Sequence, residues 1–256
     1  MKNNLATLTQ TLLAACCIAL LGGTVAAQQT AAKEAKADPE AYALLKKAHD
    51  ARQTFPQNFR GFAADFTFND NGRITKGTLL YSDAKGVEVK IDGLSEEAKE
   101  WVNDQLSSML AHRRGGDFAK GDGRYPLTFG EDDKNPLGRL LQLNDSMKSS
   151  YRVRDGQTVE VTRTMAGDKF TITVLETTLT EGGKFLPKHF TVTYFDAKTG
   201  QLKRTEMFTD AYANTSGLWV PASRRIIRAE NGQVTARIIE ISNVRLRDSG
   251  EQAVRK

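Results

Sequence analysis

The stretch FAADFTFNDNGRI, residues 62–74, decides how the rest of the chain is read. Phe62, Ala64, Phe66 and Phe68 alternate with Ala63, Asp65 and Thr67, the period of a strand with one buried face. Asp70-Asn71-Gly72 then supplies the positive φ angles that a tight hairpin needs. A return strand follows over Ile74 to Tyr81, and Val87, Val89 and Ile91 mark a third. The unit is an antiparallel meander.

Downstream of Tyr151 the same grammar repeats. Asp155-Gly156, Ala166-Gly167-Asp168, Glu181-Gly182-Gly183, Lys198-Thr199-Gly200 and Asn231-Gly232 separate alternating runs near Tyr151 to Arg154, Thr158 to Thr164, Phe170 to Leu179, His189 to Asp196, Leu202 to Asp210, Ala222 to Ala229 and Gln233 to Leu246. Short turns join sequential neighbours, so these strands should extend one antiparallel sheet. A sheet of this width curls rather than staying flat.

Two helices interrupt the strands. Asp38-Pro39-Glu40 reads as N-cap, first helical position and dipole-favouring acid, and Ala41, Leu44, Leu45 and Ala48 carry the apolar stripe to about Arg52. Ser95-Glu96-Glu97 opens the second, with stripe Ala98, Trp101, Val102, Leu106, Met109 and Leu110. It should end at His112-Arg113-Arg114, whose charges suit the helix terminus, with Gly115 as the stop. Residues 116–135 read as a long loop rich in Gly and Asp. The fold class expected is α+β, a large curved antiparallel sheet of half-barrel type with two helices packed on one side.

The N-terminus reads as an export signal. Lys2 precedes an apolar run from Leu12 to Val25, closed by small residues, so cleavage is expected between Ala27 and Gln28. The run is shorter than the roughly 20 residues of a spanning helix, which argues against a retained anchor. Leu13-Ala14-Ala15-Cys16 offers a rival, lipidation at Cys16, but the segment before it is a weak apolar core. Residues 28–37 read as a flexible leader, 38–248 as a single domain and 249–256 as a tail. Both cysteines, Cys16 and Cys17, lie within the signal, so thiol chemistry and disulfides leave with it. The expected address is extracytoplasmic.

With 36 Lys and Arg against 31 Asp and Glu, the chain is mildly basic. The charges are dispersed, so nucleic acid is not the expected partner. Its three histidines, His49, His112 and His189, share no metal-ligand spacing, and no nucleophile elbow, zinc-protease helix or phosphate-cradling glycine loop occurs. No catalytic residue, metal or cofactor is therefore expected. His189 shares a strand face with Thr191 and Thr193. The loop acids Glu131, Asp132 and Asp133 lack calcium-loop spacing and read as partners of nearby basic groups.

Two surfaces remain as candidates for binding. One is apolar: Phe62, Phe66 and Phe68, then Phe170, Ile172 and Val174, then Phe190, Val192 and Tyr194, each triplet on one sheet face. The other is cationic: His112, Arg113 and Arg114, with Tyr151 and Arg152. What the helices leave uncovered should become a greasy cavity.

Further residues carry a family resemblance. His112-Arg113-Arg114, Pro136-Leu137-Gly138-Arg139, Ser150-Tyr151-Arg152-Val153-Arg154, Phe170-Thr171-Ile172, Val174-Leu175-Glu176 and Tyr194-Phe195-Asp196 resemble the bacterial domain of unknown function 3386, over roughly Asp38 to Asp248. The resemblance brings no assigned activity. More loosely, Gly77 to Tyr81, Phe195-Asp196 with Lys198-Thr199-Gly200, and Trp219-Val220-Pro221 are similar to the lipoprotein-carrier architecture. That likeness implies a half barrel with a helical lid and an acyl chain between them. The leading expectation is a protein that binds or carries a lipid or other amphipathic small molecule, with an arginine near its anionic head. An envelope hydrolase using residues 115–133 and a structural or interaction domain are the alternatives.

Overall fold

The computed structural model describes residues 37–82 and 85–247. The expected signal peptide with Cys16 and Cys17, the leader up to residue 36 and the tail from 249 lie outside them. Helix α1 spans Pro39–Asp50 and starts as its sequence spells. Asp38 is extended, and its carboxylate accepts the N–H groups of Glu40 and Ala41 at 2.8 and 3.2 Å. Strand β1, Phe62–Asp70, alternates buried and half-buried residues along most of its length. Asn71 and Gly72 follow with φ of 49° and 99°, so the chain reverses in a turn whose twist suits the hairpin. Strands β2, Arg73–Ser82, and β3, Gly86–Ile91, complete the first meander. Helix α2, Glu96–Ala111, begins at Ser95, whose hydroxyl accepts the Ala98 N–H at 3.3 Å.

Nine strands follow: β4 Leu127–Phe129, β5 Arg139–Leu143, β6 Ser150–Arg154, β7 Gln157–Met165, β8 Asp168–Leu179, β9 Phe185–Asp196, β10 Leu202–Thr215, β11 Leu218–Glu230 and β12 Gln233–Leu246. All described strands join one antiparallel sheet in the order β3-β2-β1-β12-β11-β10-β9-β8-β7-β6-β5-β4. The first and last of the described strands pair with each other. The two edges, β3 and β4, are consecutive in sequence and do not pair, so the sheet curves without closing. Helix α2 and the segment after it connect one edge to the other.

Three expectations need correction. Residues 116–135 are not a plain loop: two 3-10 turns, Phe118–Lys120 and Asp122–Arg124, precede β4, and Phe118 and Leu127 are buried. β4 and β5 are too short for alternation to register, and Pro126, Gly130 and Pro136 punctuate them as a loop would be punctuated. β10 and β11 also run beyond their expected ends, turning at Ser216 and Gly217 with φ of 51° and 83°. Finally, α2 does not stop on a left-handed glycine. It ends at a right-handed His112, whose N–H bonds the carbonyls of Leu110 and Ser108.

Paired residues on neighbouring antiparallel strands share a sheet face. Phe68, Ile239, Arg224 and Asp210 form one row across β1, β12, β11 and β10, and Tyr151, Val161, Ile172 and Val192 another across β6 to β9. Both rows lie on the face that carries the helices. Helix α2 buries Val102, Leu106, Met109 and Leu110 against Phe62, Phe66, Phe68, Ile239 and Ile241. Helix α1 buries Ala41, Leu45 and Ala48 against Leu141, Leu143, Tyr151 and Val153. The helices therefore seal opposite ends of one inner face and leave its middle strands between them.

Candidate functional site

The uncovered middle belongs to β8, β9, β10 and β11. Val192, Phe208 and Ile226 are buried there, while Phe170, Ile172, Phe190 and Tyr194 stay half-buried. Phe190 stacks on Phe208 at a ring separation of 4.6 Å, and only Trp101 of α2 reaches over to this cluster. The expected greasy cavity is an open strip instead. Charged residues interrupt it, since Val192 is in register with Glu206, and Glu206 with Arg228.

Cations border the strip. Arg52, just past α1, donates from Nε to the His49 carbonyl at 3.2 Å and has no ion-pair partner among the described residues. Burial lowers its pKa, against the pull of Asp122, Tyr151 and Asp50. Arg163 donates to the Tyr151 hydroxyl at 2.6 Å, which in turn donates to Asp122 at 2.8 Å. Burial pushes the Tyr151 phenol up, so this hydroxyl stays protonated. Arg224 makes a bidentate pair with Asp210 at 2.8 and 2.6 Å, with 4% and 3% of the two residues exposed.

His112 sits among these groups. Part of its surface is open to solvent, yet it is recessed enough that desolvation lowers its pKa, and the charges of Arg224, Arg52 and Arg163 lower it further. Asp210 opposes them. The imidazole is therefore neutral at pH 7.

Of the residues singled out in the sequence, the fold brings Phe190, Val192 and Tyr194 together on the strip, with His112 and Tyr151 on its borders. Phe62, Phe66 and Phe68 are sealed beneath α2. Arg113 is 4% exposed and donates to the carbonyls of Gln53 and Trp219 at 3.0 and 2.9 Å. Arg114 donates to the Tyr81 hydroxyl at 3.2 Å. Arg152 lies on the opposite sheet face, in register with Glu160, and pairs with Asp133 at 2.5 Å and Glu160 at 3.3 Å. That ties the acidic segment to the sheet.

Arg52, Arg163, Arg224 and Asp210 escaped the sequence reading. For three of them a signal existed. Arg163 follows Val159 and Val161 on the same strand face, Arg224 precedes Ile226, and Asp210 follows Phe208. A charge at an inward position of an alternating strand calls for a partner or a ligand. Among the described residues no group of three or more His, Cys, Asp or Glu is placed to hold a metal ion.

An open antiparallel half barrel, with two helices on its inner face and an arginine-bordered apolar strip between them, defines the class of protein. The chain belongs to the family described as Protein of unknown function (DUF3386), which matches residues 36–246. No curated protein matches it. Among solved structures it is similar to a DUF1329 family protein from Desulfovibrio piger, with 9% identity over 83% of this chain and 94% of that one and a TM-score of 0.29. It is similar also to an outer membrane lipoprotein-sorting protein domain from Vibrio parahaemolyticus, with 11% identity, 84% and 94% coverage and a TM-score of 0.31. A third is the Pseudomonas aeruginosa MucA/MucB complex, with 12% identity, 81% and 94% coverage and a TM-score of 0.20. Similarity this weak transfers no ligand, partner or residue role.

Proposed function

We propose that this chain is an extracytoplasmic binding protein that lays an anionic amphipathic molecule, such as a lipid, along the inner face. The tail would cover Phe170, Ile172, Phe190 and Val192, and the head would meet Arg52 beside His112. One observation carries the reading: Arg52, with no ion-pair partner among the described residues, bridges to Phe185 at the start of β9, the strand that presents half-buried Phe190 and Tyr194 on the inner face. Burying those rings yields roughly 25 cal/mol per Å². A charge-assisted bond to Arg52 fixes the direction in which the ligand lies.

The test is a titration with a fluorescent long-chain fatty acid and with its alcohol counterpart. The acid is expected to bind about tenfold more tightly than the alcohol, and Arg52→Met to remove most of that difference. Affinity for the acid should also rise as pH falls from about 7.5 to about 5.5. The sign follows from the neutral His112 of the free protein. A bound carboxylate favours the imidazolium, so proton and ligand bind together. Equal affinity for acid and alcohol would remove the head-group role, and no binding of either would remove the reading.

Export belongs to the same proposal. Protein recovered from cells should begin at Gln28. A chain beginning at an acylated Cys16 would tie the domain to a membrane, and one beginning at Met1 would rule out processing.

A further inference from the structure

A second feature of the inner face adjoins the proposed lipid strip and shares Trp101, Glu206 and Ile226 with it. Between α2 and strands β10, β11 and β12 lies a cavity of about 250 Å³. Helix α2 lines it with Glu97, Trp101 and Gln105, spaced four apart and so on one helix side. The sheet supplies Glu206, Arg228, Glu230, Gln233, Thr235 and Arg237, along with Ile226. Most of this lining is planar polar groups around an indole.

The charges in the cavity are largely committed. Arg228 bonds Glu230 and approaches Glu206 at 3.9 Å, and Arg204 pairs with Glu206 at 3.4 Å. Arg237 pairs with Asp70 at 3.0 Å and lies over the Trp101 ring at 4.8 Å. What stays uncommitted among the described residues is a mixture of donors and acceptors: the Glu97 carboxylate, the Trp101 indole N–H, the Gln105 and Gln233 amide N–H groups, and the Thr235 hydroxyl.

That inventory selects a ligand class. An acyl chain would strip water from these polar groups without replacing it, at a cost of about 1–3 kcal/mol each. An anion would meet three carboxylates, with both guanidiniums already paired. A cation would find the Trp101 face occupied by Arg237. A neutral polyhydroxylated ring suits every constraint, because its neighbouring hydroxyls each donate and accept, and planar carboxylates, amides and guanidiniums bind them two at a time. The volume lies just below the roughly 300–1,000 Å³ of pockets for drug-sized ligands. It suits a single sugar unit.

We infer that the cavity between α2 and β10–β12 is a saccharide site, taking one sugar unit at the Trp101 indole N–H with its hydroxyls on Glu97, Gln105 and Gln233. The experiment uses the full chain carrying Trp219→Phe, which leaves Trp101 as the sole indole reporter. Glucose, galactose and N-acetylglucosamine are titrated, with choline and inorganic phosphate as cationic and anionic comparators. At least one sugar is expected to shift Trp101 emission with a Kd of roughly 1–10 mM. Gln233→Ala together with Glu97→Ala, both exposed positions, should weaken it at least about fivefold while leaving the thermal midpoint in place. No response to any sugar overturns the inference, as does an equal or larger response to choline or phosphate. Fatty-acid affinity should survive Gln233→Ala with Glu97→Ala, since neither residue belongs to the strip, which separates failure of this site from failure of the lipid reading.

Discussion

Asp210→Ala is expected to destabilise the folded chain by about 3–5 kcal/mol, one of the largest single effects available in this structure. The carboxylate takes two parallel bonds from Arg224 at 2.8 and 2.6 Å, and the two residues are almost fully buried. Removing the acid strands a guanidinium whose remaining contacts are the Gln105 side chain at 3.4 Å and the rings of Phe208 and Phe190 at 5.2 and 5.8 Å. Ring faces offset only part of that charge. The thermal midpoint should fall by on the order of 10 °C for a chain of this size. Asp210→Leu combined with Arg224→Met should recover most of the loss, since an apolar pair of similar volume often replaces a buried ion pair at little cost. A single variant within about 1 kcal/mol of wild type would mean that water reaches Arg224 and that the middle of the inner face is wetter than its packing indicates.

That pair also marks where the sequence stops being legible. Local signals were strong enough to place both helices and most strands: Asp38-Pro39 and Ser95 cap where expected, and Asn71-Gly72 turns where expected. Alternation named the inward residues of β1 and β9 correctly, because each strand has one apolar face. It could not say which inward residues meet. Phe68, Ile239, Arg224 and Asp210 form one row only because β1 pairs with β12, a contact between the two ends of the domain that no local pattern encodes. The same holds for His112. Read locally it is a helix terminus, whereas its electrostatic neighbours Arg224, Arg52 and Arg163 come from β11, the segment after α1, and β7. Arg52 was passed over as the end of a stripe. Its place beside the inner face emerges only when the chain beyond α1 bridges to Phe185 at the start of β9. β4 and β5 failed for a different reason, being too short to show a period.

Arg113→Ala is expected to cost a similar amount, about 3–5 kcal/mol, and for reasons that separate a structural arginine from a ligand-binding one. Arg113 has no carboxylate partner among the described residues. Its charge rests instead on two backbone carbonyls, Gln53 after α1 and Trp219 at the start of β11, and on the faces of Phe55 at 4.8 Å and Tyr212 at 5.4 Å. Burial lowers its pKa to about 10, which leaves it protonated at neutral pH. One guanidinium thus fastens the chain beyond α1, the end of α2 and the β10–β11 hairpin together, and alanine would leave two carbonyls without their donor. Arg113→Lys should rescue only part of the loss, since a single ammonium cannot span both acceptors as the planar fork does. Denaturant midpoints and fatty-acid titrations on the same variants decide between the roles. Loss of stability, with fatty-acid affinity retained per folded molecule, assigns Arg113 to the scaffold and leaves Arg52 to meet the head group. A variant of unchanged stability that no longer binds the acid would instead make Arg113 the anchor, and the buried guanidinium would have to turn toward the strip to serve it.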